Sequence, residues 1–190
     1  MIDKEDIRDQ LASILASQRA DYMEIRLEEA ESTRIQYRGR EVEDIVRSTA
    51  VGGNVRALVK GGWGFVSFND LKGLKQRAAM AARLARRTGT EASQFSFLPP
   101  VVEGVEPDKV KKDPTALSLV EKKALLDEYN GIIWSTPRIQ TSIITYTDGQ
   151  RRVIFANSEG SFIEQTRKDV GIRVSAVARD GGEGQQAGLS

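Results

Sequence analysis

The sequence predicts an α+β chain in which a helix followed by an antiparallel β-meander occurs twice, with three main helices. Three observations carry this. Apolar residues at helical spacing in two stretches and a capping box ahead of a third mark helices, period-two alternation fills most of the segments between them, and Gly61-Gly62-x-Gly64 recurs 120 positions later as Gly181-Gly182-x-Gly184. Each glycine group follows an apolar strand that ends in a charged residue, Lys60 or Asp180, which fits an internal duplication.

The first helix is read from Ile7, Leu11, Ile14 and Leu15 at i, i+4, i+7 and i+8, with Asp3 as its amino-terminal cap. Period two begins at Tyr22: Met23, Ile25 and Leu27 alternate with Tyr22, Glu24, Arg26 and Glu28, a strand with one wet face. The alternating segments that follow, up to Phe68, predict about five short antiparallel strands in all. A second helix has Leu74, Ala78, Ala81, Ala82 and Ala85 on one stripe, Arg83, Arg86 and Arg87 in its last turn, and Gly89 as its stop. Four of the five prolines, Pro99, Pro100, Pro107 and Pro114, then fall in an extended connector. A third helix opens with Ser118 and Glu121 in capping-box relation and is expected to stop at Asn130-Gly131, after which strand patterns resume to the end of the sequence. The expected organisation is therefore 1–89 (helix, meander, helix), 90–117 (connector) and 118–190 (helix, meander).

The glycine-rich stretch VGGNVRALVKGGWGFVSFND, residues 51–70, invites comparison with a phosphate-binding loop. Such a loop sits between a strand and a helix, because amides at the helix start hold the phosphate. Here another strand, WGFVSF, follows the glycines, so Lys60-Gly61-Gly62-Trp63 is read as a hairpin turn. Trp63 and Phe65 share one face and Val66 and Phe68 the other, and all four are read as packing residues.

Composition removes several chemistries. There is no cysteine, hence no disulfide, thiolate metal site or thiol nucleophile, and no histidine, hence no Ser-His-Asp triad or histidine-held zinc. Twenty-eight basic residues against 27 acidic ones, interspersed, give a net charge of +1 and no basic face for nucleic acid. The acidic, amphipathic amino terminus lacks the features of a signal peptide, and no apolar run has membrane-spanning length, so a cytoplasmic protein without membrane contact is expected. No Ser-x-x-Lys spacing occurs. Glu28, Glu29 and Glu31 read as a solvated face, Asp180 and Glu183 flank a hairpin turn rather than a cation loop, and the arginines at 83–87 offset a helix dipole. No catalytic, cofactor-binding or metal residue is assigned in this chain.

Residues 20–71 resemble the amino-terminal region of the TldD/PmbA family, zinc metallopeptidases that also carry the older label modulator of DNA gyrase. The resemblance rests on Ala20-Asp21-Tyr22 opening a strand, a glycine-to-glutamate step near residue 40, a strand with Gly52-x-x-Val55-Arg56, and Gly61-x-Trp63-Gly64-Phe65 leading into an alanine-rich helix. LSLVEKKALLDEYN at 117–130 and ANSEG at 156–160 also look similar, and within the family the TldD branch is the nearer in appearance. The resemblance implies an intracellular protease of unfolded peptides that works as a homo- or heterodimer with a related subunit. It further implies that the three segments together form one compact amino-terminal domain of a longer protein, with a zinc held by a His-Glu-x-x-x-His helix in a carboxyl-terminal part. No position here matches that motif, so the expected role is a non-catalytic amino-terminal domain that shapes the substrate cleft and the subunit interface. The alternatives are a stand-alone binding module and, from the older label alone, a gyrase-binding or nucleic-acid-binding protein.

Overall fold

The computed structural model describes residues 4–93, 100–106 and 110–190. The expected cap Asp3 and the prolines Pro99 and Pro107 lie outside the described residues. In chain order the elements are α1 (Lys4–Ala16), β1 (Tyr22–Arg38), β2 (Glu41–Val59), β3 (Gly62–Phe68), α2 (Leu74–Thr88), β4 (Glu103–Glu106), a 3-10 turn (Pro114–Ala116), α3 (Leu119–Ser135), β5 (Ile139–Asn157), β6 (Phe162–Asp180) and β7 (Glu183–Leu189). The seven strands form one sheet in the order β3-β2-β1-β5-β6-β4, with β7 also on β6. The fold is α+β. Each half places two long strands and a seven-residue third strand after a helix: 17, 19 and 7 residues for β1–β3, then 19, 19 and 7 for β5–β7. The short β4 is an addition that alternation did not predict, and it runs parallel to β6.

The strands are fewer and longer than expected. Three strands replace the five predicted over 22–68, because alternation in β1 never loses phase: Met23, Ile25 and Leu27 and then Thr33, Ile35 and Tyr37 are all buried. Nor do the glycines of β2 interrupt it. A Cβ on Gly53 would stand 2.3 Å from the Arg26 carbonyl oxygen, so glycine marks close backbone approach within a continuous strand. Gly149 similarly lies inside β5, where a Cβ would meet the Glu31 carbonyl oxygen at 2.8 Å. Asn130-Gly131 does not end α3 either. Ile133 packs on the core, the Trp134 indole donates to the Gly39 carbonyl at 3.0 Å, and the helix runs on to Ser135, two residues before Pro137.

Contacts divide the chain into two compact units, and β1, β2, β5 and β6 each give residues to both. The first unit comprises 1–30, 50–108 and 151–166. Its core joins Ile7, Leu11, Ile14 and Leu15 of α1 to the alanine stripe of α2 and to Met23, Ile25, Leu27, Val55 and Ala57. The second comprises 31–49, 109–150 and 167–190, with Ile35, Tyr37, Leu126, Ile144 and Tyr146 at its centre. Its helix α3 carries the expected capping box: the Glu121 amide donates to Ser118 Oγ at 3.2 Å and the Ser118 amide to Glu121 Oε2 at 2.8 Å.

Candidate functional site

The glycines at 61–64 do two different jobs. The hairpin loop is Lys60-Gly61, both at positive φ (50° and 76°), between the paired residues Val59 and Gly62; the expected turn is thus displaced by one residue. Gly62 and Gly64 belong to β3 and lie under α2. A Cβ on Gly64 would stand 2.0 Å from the Ala81 carbonyl oxygen, and one on Gly62 would stand 2.5 Å from that of Ala85. The Gly-x-Trp-Gly-Phe motif is therefore a helix-on-strand packing device. Gly89 completes it: its backbone is extended (φ −80°), and a Cβ there would meet the Val59 carbonyl oxygen at 2.1 Å. At the second glycine group the loop is Gly181-Gly182 between Asp180 and Glu183, with Gly181 at φ 56°.

Alternation in β3 separates the aromatics as expected, but only Val66 and Phe68 pack on the core. Trp63 and Phe65 are exposed by 47% and 56%, because their face of β3 is the one turned away from α2. The Arg56 guanidinium lies 4.5 Å over the Trp63 ring and also reaches Glu24 Oε1 at 3.2 Å. Tyr22 meets Trp63 edge-on at 6.2 Å and donates from its hydroxyl to Glu24 Oε2 at 2.8 Å. Burial, and then the bond to Glu24, push the Tyr22 phenol up to about 12. This arrangement holds an aromatic-and-arginine surface in place.

Among the described residues the buried charges form two clusters that sequence reasoning missed. In the first unit Arg152 Nε donates to Glu164 Oε1 at 2.7 Å, and its Nη1 donates to Glu29 Oε2 at 3.3 Å. In the second, Lys122 Nζ contacts Asp148 Oδ2 at 2.5 Å, and the Tyr146 hydroxyl donates to that same carboxylate at 2.6 Å. Burial pushes the Tyr146 phenol upward, and Asp148 adds to the rise. Lys122 and Asp148 line a pocket of ≈ 150 Å³ with Glu31, Arg47, Thr115 and Ser118. A signal was present in the sequence: Lys122 shares the α3 stripe of Leu126 and Asn130, and Asp148 continues the buried alternation Ser142, Ile144, Tyr146. A charge on an apolar stripe marks a buried partner.

The other sequence-derived candidates are dispersed. Asp180 pairs with Arg138 beside its hairpin, while Glu183 is exposed on β7. Glu28 faces Arg151 at 3.7 Å and Glu31 faces Arg47 at 3.8 Å. Arg86 donates to the Arg19 carbonyl at 2.6 Å. Among the described residues no group of three or more His, Cys, Asp or Glu side chains is placed to hold a metal ion. The donor set does not fit a hydrolytic zinc, since the chain has neither histidine nor cysteine and its buried carboxylates are held by Arg152 and Lys122. No helix of the described residues is long and apolar enough to cross a membrane.

Residues 23–85 match the family model described as PmbA/TldA metallopeptidase domain 1, and residues 112–190 match the PmbA/TldA metallopeptidase central domain. The chain is 40% identical over 170 residues to a metalloprotease of Synechocystis sp., covering 89% of this chain and 36% of that protein. It spans little more than a third of the length of the curated relatives it matches. Among solved structures, it superposes with a TM-score of 0.80 at 15% identity on a Thermotoga maritima protein described as a candidate modulator of a DNA gyrase, covering 97% of this chain and 42% of that one. TldE from Thermococcus kodakarensis gives 0.67, also at 15% identity, covering 97% and 41%. At these identities the structural likeness is one of fold.

Proposed function

Since the chain belongs to the PmbA/TldA metallopeptidase family, we propose that it is the amino-terminal, non-catalytic part of a zinc-dependent peptidase. In this reading it helps to shape the cleft that receives unfolded peptides, and it joins a homo- or heterodimer of related subunits in the cytoplasm. Nucleic acid and membrane are not partners. The observation that carries the reading is the 40% identity to a metalloprotease of which the chain covers only 36%. A peptidase zinc needs three protein ligands and an open position for water, and the lack of histidine and cysteine in these 190 residues supports seeking those ligands in sequence outside them.

In this chain, Gly62 and Gly64 seat α2 on β3, and the Arg56–Trp63 stack stiffens the opposite face of β3. These residues build a scaffold, and no proton transfer or nucleophilic attack is assigned to any of them. The test is to read the coding sequence beyond Ser190. A continuous frame encoding a His-Glu-x-x-x-His segment is the expected result, and a stop codon directly after Ser190 would leave a stand-alone module instead.

A further inference from the structure

We propose that the free edge of β2 over Glu41–Thr49 is a self-complementary dimerisation edge, to which a second copy of this chain adds its own β2 antiparallel about a two-fold axis at Ile45. The strand is 19 residues long, but β3 covers only Gly53–Val59. Among the described residues no strand lies along 41–49 on that side. The open stretch has no proline or glycine, and it exposes Ile45 by 45% and Val46 by 39%. A long edge strand without proline, glycine or a covering element is a template for pairing with another chain, and its charges decide which chain.

Charge selects the occupant. Glu43-Asp44-Ile45-Val46-Arg47 runs from acidic through apolar to basic, so its reversed copy is its own complement. A two-fold interface requires that property. The hairpin geometry also fits. The two-residue loop Gly39-Arg40 makes Arg38 and Glu41 a hydrogen-bonded pair, which turns the backbone groups of Glu43 and Ile45 toward β1 and those of Val42, Asp44 and Val46 outward. In the register centred on Ile45, Asp44 and the second copy's Val46 exchange backbone hydrogen bonds. Ile45 faces Ile45, and Glu43 faces Arg47, at the non-hydrogen-bonded positions where side chains come closest. Glu43 is already oriented by Arg38 Nε and Gln36 Nε2, both at 2.6 Å, and the Arg47 side chain is 68% exposed.

The inference deepens the dimeric assembly of the preceding reading by naming its surface. Its readout is molecular mass rather than peptidase activity, so either can fail alone. The experiment is sedimentation equilibrium on the 190-residue chain from about 5 to about 200 μM. The parent should approach twice 21.0 kDa. Arg47→Glu and Glu43→Arg should each weaken the dimer at least about tenfold, because each sets like charges opposite one another twice. An equimolar mixture of those two variants should recover the dimer. Val46→Pro, which removes one outward N–H, should be monomeric with an unchanged circular dichroism spectrum. A parent that stays at 21.0 kDa throughout, variants that dimerise like the parent, or a mixture that stays monomeric would each overturn the proposal.

Discussion

Lys122 of α3 and Asp148 of β5 meet at 2.5 Å with side chains only 4% and 2% exposed, and the Tyr146 hydroxyl completes the carboxylate's shell. Two charges in so dry a place hold one another, and removing one strands the other. Lys122→Met should therefore cost about 3–5 kcal/mol of unfolding free energy. Adding Asp148→Asn, which still accepts from Tyr146, should recover at least about half of that loss. Urea denaturation of the two variants measures both values, and equal losses would show that the pair is not coupled.

The glycines separate into structural and permissive ones. Gly64→Ala should destabilise by at least about 1–3 kcal/mol, since its Cβ has no room beside the Ala81 carbonyl. Gly131→Ala should stabilise by about 0.5–1 kcal/mol, since it lies inside α3 with nothing within 4 Å of the added carbon. Thermal melts that move the two variants in opposite directions are the expected outcome.

The helices and the two meanders were legible because they depend on local periodicity. The α2 stripe of Leu74, Ala78, Ala81, Ala82 and Ala85 is buried residue for residue as its spacing required. Long-range contacts were not legible. The end of α3 is set by Trp134 reaching Gly39 and by Pro137, and the glycines of β2 and β5 are set by neighbouring backbones. The buried pairs of Lys122 and Arg152 join residues distant in sequence, so a charge on an apolar stripe was the only trace they left. The resemblance located the family through Gly61-x-Trp63-Gly64-Phe65, which in this chain is a packing motif.

Acid should reveal the tie between Asp113 and Lys168. The Lys168 ammonium at 2.6 Å, helped by Thr115, holds the Asp113 carboxyl down at about 2, against its ordinary 3.8. A carboxyl depressed in the folded state contributes stability above its unfolded pKa and loses that contribution as pH falls from about 4 through about 2. Lys168→Met should therefore be less stable than the parent at pH 6, with the two curves converging toward pH 2. Parallel curves across that range would show that Lys168 does not act through Asp113.

The most direct measurement pairs zinc content with chelator-sensitive cleavage of an unstructured peptide, for the 190-residue chain and for the product of its whole coding sequence with any partner subunit supplied. The account predicts no stoichiometric zinc and no cleavage for the chain alone, and both for the longer product. Zinc-dependent hydrolysis by the purified 190-residue chain would contradict it.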